Sequence, residues 1–451
     1  MIYLNSRMFK IFFSKLIIFF FFQISYSYSN LIRDTEIENI IYGWSKPIFE
    51  VAGLSKNSIK IHIIADDQIN AFVTGGKDMY LNTGLIKKAG SANALLGVIA
   101  HETGHIAAGH ILKLKQKIRG IENKQLISNL MGIGLYILGT SKSNTLREKR
   151  GEYAKAVLSI GPDMVKRSFF SYSRGNEYVA DSLAVKYLKK VNRNPRAVGI
   201  ILKKLYGKEL LVLEKQDPFL RTHPLTKDRM DYIDRITKGN EVVETKEDNA
   251  LYLRIQAKLN GFLDAPGRVL LKNRGNTLSQ RYARVIGYFR SPVFNKALKG
   301  INSLLKDYPN DPYFWELKGQ ILSENGYIDE AILCYEKSLN IITEAPLIYL
   351  ALANLLIEKN QSLTSIKRAQ LLLNKVNIEE PDNILAWHLK GITHNRLGEY
   401  ILADLSAAEE FIRRRDRVSA TFFSKKVIKN SSKNSPESLR AQDILKIVNT
   451  D

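Results

Sequence analysis

Five consecutive residues, His101-Glu102-Thr103-Gly104-His105, could do chemistry together. They lie in a run from Ser91 to Gln116 with few helix breakers, where Ala94, Leu95, Val98, Ile99, Ile106, Ala107, Ile111 and Leu112 recur at helical spacing. A separation of four places His101 and His105 on one helical face, one turn apart, so two imidazoles can converge on a single metal ion. Glu102 then projects beside that ion, placed to take a proton from a metal-bound water, whose pKa zinc lowers toward about 7. The chemistry this serves is hydrolysis of a peptide bond. The string H-E-x-x-H also arises by chance, so a third ligand has to be found.

Catalytic zinc usually takes three protein ligands and leaves one position open. Ser173 to Asp181 opens a second helical run, with Glu177 and Asp181 four apart on one face. Glu177 reads as the third ligand. Asp181, one turn deeper, is placed to accept a hydrogen bond from the free ring nitrogen of a ligating histidine. Taken alone, these two residues read equally well as a solvated acidic face beside Lys186, Lys189 and Lys190.

Together these residues resemble the HtpX and CAAX-prenyl endopeptidase family of zincins. Three further segments agree: Asn70-Ala71-Phe72 with Gly75-Gly76 and Tyr80-Leu81-Asn82-Thr83-Gly84-Leu85; Asn194-Pro195-Arg196-Ala197; and Thr222-His223-Pro224-Leu225 with Arg229 beyond it. In architecture the chain is most similar to the soluble BepA-like (YfgC-like) members, which carry a signal peptide and C-terminal tetratricopeptide repeats. The match spans about residues 35–240 as peptidase and 276–416 as repeats. The resemblance implies one zinc ion held by His101, His105 and Glu177, with Glu102 as general base and Asp181 orienting a ligand. It also implies that His223 comes from a loop over the metal, either as a fourth ligand that holds the enzyme shut or as a catalytic group that stabilises the oxyanion. Arg229 adds positive charge toward the tetrahedral intermediate or is salt-bridged structure. A third reading of His223 is a surface histidine before a proline turn.

The other histidines read as structural. His110 follows His105 by five residues, which rotates it well off the metal face toward a packing or capping role. His62 lies in a strand-like run, and His388 and His394 among repeat helices.

The elements that must position these groups come in order along the chain. Arg7, Lys10 and Lys15 precede or edge the apolar run Leu16 to Phe22, and small polar residues follow at Ser25 to Ser29. Residues 1–29 therefore read as a secretory signal. Its apolar core is short of the roughly 20 residues of a membrane span, though an uncleaved anchor is the other reading. The expected compartment is the periplasm. A peptidase domain is expected over 30–240, with a small β-sheet near Ile59 to Ile64 and Ala71 to Leu81 whose edge lies along the active helix. The apolar stretch Leu126 to Leu138 reads as core, or as a lid that shields the site or rests on a membrane. Polar residues from Thr237 to Asp248 mark a boundary, and 241–275 reads as linker and connecting helix.

Beyond it a repeat can be counted. Ala297, Ala331, Ala369 and Ala403 are separated by 34, 38 and 34 residues, and Gly319, Ala353 and Gly391 by 34 and 38. Trp315 and Trp387 share a phase, and Pro309 and Pro381 close preceding units. This is the tetratricopeptide period, with four extra residues near Gln361 to Thr364, and it sets a repeat domain at 276–416. Residues 417–451 form a tail with a loop at 431–436 and a capping helix. The fold class is mainly α: a zincin-type α+β metallopeptidase domain with a small β-sheet, followed by an α-solenoid of repeats.

The formal charge of +22 falls to +19 without Arg7, Lys10 and Lys15 of the signal, which favours anionic partners such as lipid head groups or acidic proteins. Peripheral membrane contact fits that charge, while export disfavours nucleic acid. The single cysteine, Cys334, allows no intramolecular disulfide. Two functions follow. One is an exported zinc endopeptidase acting on unfolded or misassembled envelope proteins, with repeats recruiting clients or outer-membrane assembly machinery. The other is a chaperone or assembly factor with a latent peptidase domain.

Overall fold

A computed structural model describes residues 31–450 apart from 56–57, 75–76, 111–112, 114–162, 207–218, 220–222, 224–225, 241 and 360–361. The expected signal at 1–29 and the apolar stretch 126–138 lie outside the described residues, as do Gly75, Gly76, Thr222, Pro224 and Leu225. Two compact units are present: the first takes in the chain up to Arg33 and Glu38–Gln256, the second Asp34–Ile37 and Ala257–Asp451.

The first unit begins with β1 (Leu31–Ile32), α1 (Thr35–Val51), β2 (Lys60–Ile64), β3 (Ala71–Thr74) and β4 (Asp78–Asn82). The sheet order is β1-β2-β4-β3, with β2 parallel to β4 and the other pairs antiparallel. Register places Phe72 opposite Tyr80 and Val73 opposite Met79, so β3 is an edge strand. After α2 (Thr83–Lys88) come α3 (Ala92–Ala107), α4 (Asp163–Lys190), α5 (Ala197–Leu205) and α6 (Lys227–Thr237). The sheet therefore sits near Ile59 to Ile64 and Ala71 to Leu81, where it was expected, and its edge strand packs against α3.

The sequence explains why α3 is central. Ser91 caps it, its hydroxyl accepting from the Ala94 N–H at 3.1 Å. Every residue from Ala92 to His105 is buried, so this helix packs on all sides, against β3, α4 and α5. Two glycines, seven apart, allow the approach. A Cβ on Gly97 would lie 2.1 Å from the Ala197 carbonyl oxygen, and one on Gly104 2.7 Å from that of Ala180. Helical periodicity continues to Gln116, but α3 breaks at Ala108–Gly109: Gly109 adopts φ 66°, a left-handed conformation that glycine takes without strain.

In the second unit, the C-terminal part of α7 (Lys246–Leu263) is followed by α8 (Pro266–Lys272) and a series of helix pairs. These are α9 (Leu278–Arg290) with α10 (Phe294–Asp307), α11 (Pro312–Glu324) with α12 (Ile328–Ile341), α13 (Pro346–Lys359) with α14 (Leu363–Glu379), and α15 (Ile384–Arg396) with α16 (Tyr400–Arg413). Each pair packs within itself and on its neighbours, as stacked tetratricopeptide hairpins do. Ala297, Ala331, Ala353 and Ala369 are fully buried, and a Cβ on Gly319 would press on the Tyr335 ring at 3.1 Å. The equivalent Trp315 and Trp387 each donate from Nε1 to a proline carbonyl, of Pro309 and Pro381, at 2.8 Å. A cation from the second helix covers the aromatic of the first in three successive pairs: Lys337 over Trp315 at 4.4 Å, Lys375 over Tyr349 at 4.9 Å, Arg413 over Trp387 at 5.0 Å. Within 417–451 the structure has two helices, α17 (Arg417–Asn430), which packs on α16, and the expected last helix, α18 (Pro436–Thr450). Among the described residues no helix is long and apolar enough to cross a membrane.

Candidate metal centre

Three helices and the stretch before the last of them carry the predicted site residues to one point. From α3 come His101, Glu102 and His105; from α4, Glu177 and Asp181; from the stretch before α6, His223; and from α6, Arg229. All seven are buried. The close contact of Gly104 with Ala180 sets the spacing of the two helices, since Ala180 lies between Glu177 and Asp181 on the facing turn.

His101, His105, Glu177 and His223 each offer one donor atom, all within 4.8 Å of one another. His101 Nε2 lies 3.1 Å from His105 Nε2, 3.2 Å from His223 Nδ1 and 3.3 Å from Glu177 Oε2. His105 Nε2 is 3.3 Å from Glu177 Oε1, and His223 Nδ1 is 3.1 Å from Glu177 Oε2. Donors bound to one tetrahedral zinc at roughly 2.0–2.1 Å stand about 3.3 Å apart. Nitrogen and carboxylate donors at this spacing fit such an ion, and the charge balance agrees. Glu102, Glu177 and Asp181 are buried against a single guanidinium, Arg229, so a divalent cation would bring the set to neutrality.

The titration of these groups follows from the same crowding. Burial opposes a charge on His101, but hydrogen bonds and charge from Asp181 and Glu177 outweigh it and raise its pKa. Burial likewise opposes a charge on His223, yet Glu177 and Glu102 lift it to about 10. His105 is lowered, by burial above all. Burial favours neutral carboxyls, but His223 and Arg229 hold Glu177 well below the ordinary range, and His223 also lowers Glu102. Asp181 is held at about 2 against its burial, chiefly by Arg229 and His101.

Around the cluster, Asp181 Oδ1 is 2.8 Å from His101 Nδ1, the second-sphere contact expected from its position one turn below Glu177. Arg229 grips Asp181 through Nε at 2.7 Å and Nη2 at 3.0 Å, and Glu177 through Nη1 at 2.9 Å. Of its two readings, the geometry favours the salt-bridged one. His223 is 5% exposed, which is no surface histidine, and it turns Nδ1 to the donors and Nε2 toward Glu102. Glu102 Oε1 and His223 Nε2 stand 3.2 Å apart, yet neither has a directed hydrogen-bond partner, so we read the contact as one between charges.

His110 had been expected away from this face. Because α3 breaks at Gly109, the chain folds back and His110 Nδ1 lies 2.9 Å from His105 Nδ1. The Gly109 beside it was the one signal that could have foretold this. His62, His388 and His394 pair with Asp78, Glu410 and Glu399 at 2.9, 3.0 and 2.6 Å.

A buried pair of helical histidines, a neighbouring glutamate and a carboxylate from a second helix define a metallopeptidase of the HExxH type. Residues 33–237 match the model of peptidase family M48, and the buried donor set in this part of the chain is that of a metalloendopeptidase. Among curated proteins, the beta-barrel assembly-enhancing protease of Escherichia coli (strain K12) is 24% identical over 80% of this chain and 72% of its own length. That of Yersinia pestis is 22% identical over the same shares. Metalloendopeptidase OMA1, mitochondrial, of Homo sapiens is 24% identical over 42% of this chain and 34% of its own. Among solved structures, yeast Tom70 aligns with 78% of this chain and 88% of its own at 11% identity and a TM-score of 0.30, too slight a likeness to bear on the fold.

Proposed function

We propose that the chain is an exported, periplasmic zinc endopeptidase that hydrolyses misfolded or misassembled envelope and outer-membrane proteins. In this reading the peptidase domain occupies 30–240, and the repeats over 276–416 recruit clients or assembly machinery. The observation that carries the metal reading is the 3.1–3.3 Å spacing of buried donors from two helices and the stretch before α6. The names of the Escherichia coli and Yersinia pestis relatives, which span both units, support the envelope setting.

His101, His105 and Glu177 would hold the ion, and Asp181 would fix the ring of His101. Bound zinc supplies a Lewis acid and an acidified water. Glu102, kept ionised by its neighbours, is the general base and then returns the proton to the leaving amine. Arg229 holds Asp181 and Glu177 in place. An extended substrate would lie along edge strand β3, its register set by backbone hydrogen bonds.

His223 stands at the fourth corner of the donor set, which favours the latch over an oxyanion role and lends weight to the second function, an assembly factor whose peptidase is normally closed. Metal analysis of the purified chain and of Glu177→Ala tests the site: one zinc per chain is expected, and little in the variant. Casein hydrolysis by His223→Ala separates the roles. A rise marks the latch, and a fall marks transition-state stabilisation. If the wild-type chain binds zinc and its repeats bind assembly proteins, but neither chain cleaves anything, the assembly factor is the better reading.

A further inference from the structure

The two ligand histidines of α3 are held from behind by different partners. His101 Nδ1 faces a carboxylate, Asp181 Oδ1, at 2.8 Å, whereas His105 Nδ1 faces another imidazole, His110 Nδ1, at 2.9 Å. We infer that His110 is a positioning residue for His105, accepting the Nδ1–H of that ligand on its own unprotonated Nδ1.

The argument is one of proton placement. His105 Nε2 points into the donor set, 3.1 Å from His101 Nε2 and 3.3 Å from Glu177 Oε1, so it must be unprotonated to bind an ion. A neutral imidazole carries a single ring proton, which then sits on Nδ1. The atom that Nδ1 meets is His110 Nδ1, which must accept, leaving the His110 proton on Nε2. The rings cross at 71° with centroids 5.0 Å apart, an edge approach suited to this bond and not to stacking. Both side chains are buried, so water does not readily replace the partner.

Gly109 builds the contact. In a continuous helix His110 would be turned well away from His105; the left-handed residue at φ 66° reverses the chain and brings the ring back. Nothing lies within 4 Å of the place a Gly109 Cβ would take, so what glycine provides here is backbone conformation, not space. An imidazole accepts more weakly than a carboxylate, so His105 is oriented without the added basicity that Asp181 confers on His101.

This inference rests on the proposed metal site and is tested on the full chain, stripped of metal and titrated with cobalt(II) and zinc(II) against a chelator. His110→Leu fills the volume without an acceptor; it should weaken metal binding on the order of 10- to 100-fold and shift the cobalt absorption bands. His110→Asn can place Oδ1 where Nδ1 stands and should restore most of the affinity and the wild-type spectrum. Leu and Asn variants that bind alike, or a Leu variant that binds as wild type does, would overturn the assignment. Should the leucine variant fail to fold, Gly109→Ala decides, because it keeps every side chain of the site. Weakened metal binding supports the role, and unchanged binding refutes it. A wild-type chain that takes up neither metal would instead bring down the metal reading of the whole site.

Discussion

The metal centre and the repeat array handle buried and charged side chains in opposite ways. Around α3, three carboxylates, a guanidinium and four imidazoles are packed into one buried cluster, where each group depends on several others. In the repeats the recurring device is a local pair, one aromatic under one cation, repeated from hairpin to hairpin. The repeat array tolerates a change of spacing: four added residues between Ala331 and Ala369 leave both alanines buried. The metal centre has no such slack. A single left-handed glycine decides which face His110 meets, and one added methyl at Gly104 would collide with the Ala180 backbone. Chemistry demands positions fixed to fractions of an ångström, whereas a stacked solenoid asks only that each unit bury its neighbour.

Several substitutions would break or sharpen this contrast. The largest effect is expected for Glu102→Gln, which removes the base while keeping the ligands. Casein hydrolysis should fall by about 10²- to 10⁴-fold with metal content unchanged, and full activity in this variant would refute the assigned base. Removing the metal should act on one unit only. At a hundredfold excess over Kd a bound ion stabilises by about 2.7 kcal/mol. Hydrogen exchange should therefore show faster opening of α3 and α4 after chelation, with α13 to α16 unchanged; equal loosening of both would erase the distinction.

Acid provides a smaller effect of known sign. Asp181 is held at about 2 in the fold, below its ordinary 3.8. Its contribution, about 2 kcal/mol, is present above pH 4 and is lost as pH falls through about 2. In acid titrations of the metal-free chain, Asp181→Asn should flatten the loss of stability over that window. The smallest change is expected for Trp387→Phe, which gives up the Nε1 bond to Pro381 and weakens the contact with Arg413. It should cost about 1 kcal/mol in the repeats, with zinc content and hydrolysis of a short unstructured peptide as in the wild type. A change in either would show the two regions to be coupled.

Much of this protein could be read along the chain because the signals are local. The pair His101 and His105 with Glu102 follows from spacing on one helix, and the repeats follow from alanines recurring every 34 or 38 residues. Glu177 and Asp181 were legible as a pair on one face, but whether they faced water or metal was not. That depended on Gly104 meeting Ala180 across two helices, a contact between residues 76 positions apart. His110 was misplaced because helical periodicity runs on through 116 and hides a break that one dihedral angle creates.

Sequence by itself thus determined the helical pair His101 and His105, the glutamate beside it and the period of the solenoid, since residue type and spacing within one element suffice for each. Only the tertiary structure decided which way Glu177 faces, where His223 sits, and what holds His105 from behind. Those are relations between distant elements, set by how closely two helices can approach and where a helix ends, and neither is written in the periodicity of any one of them.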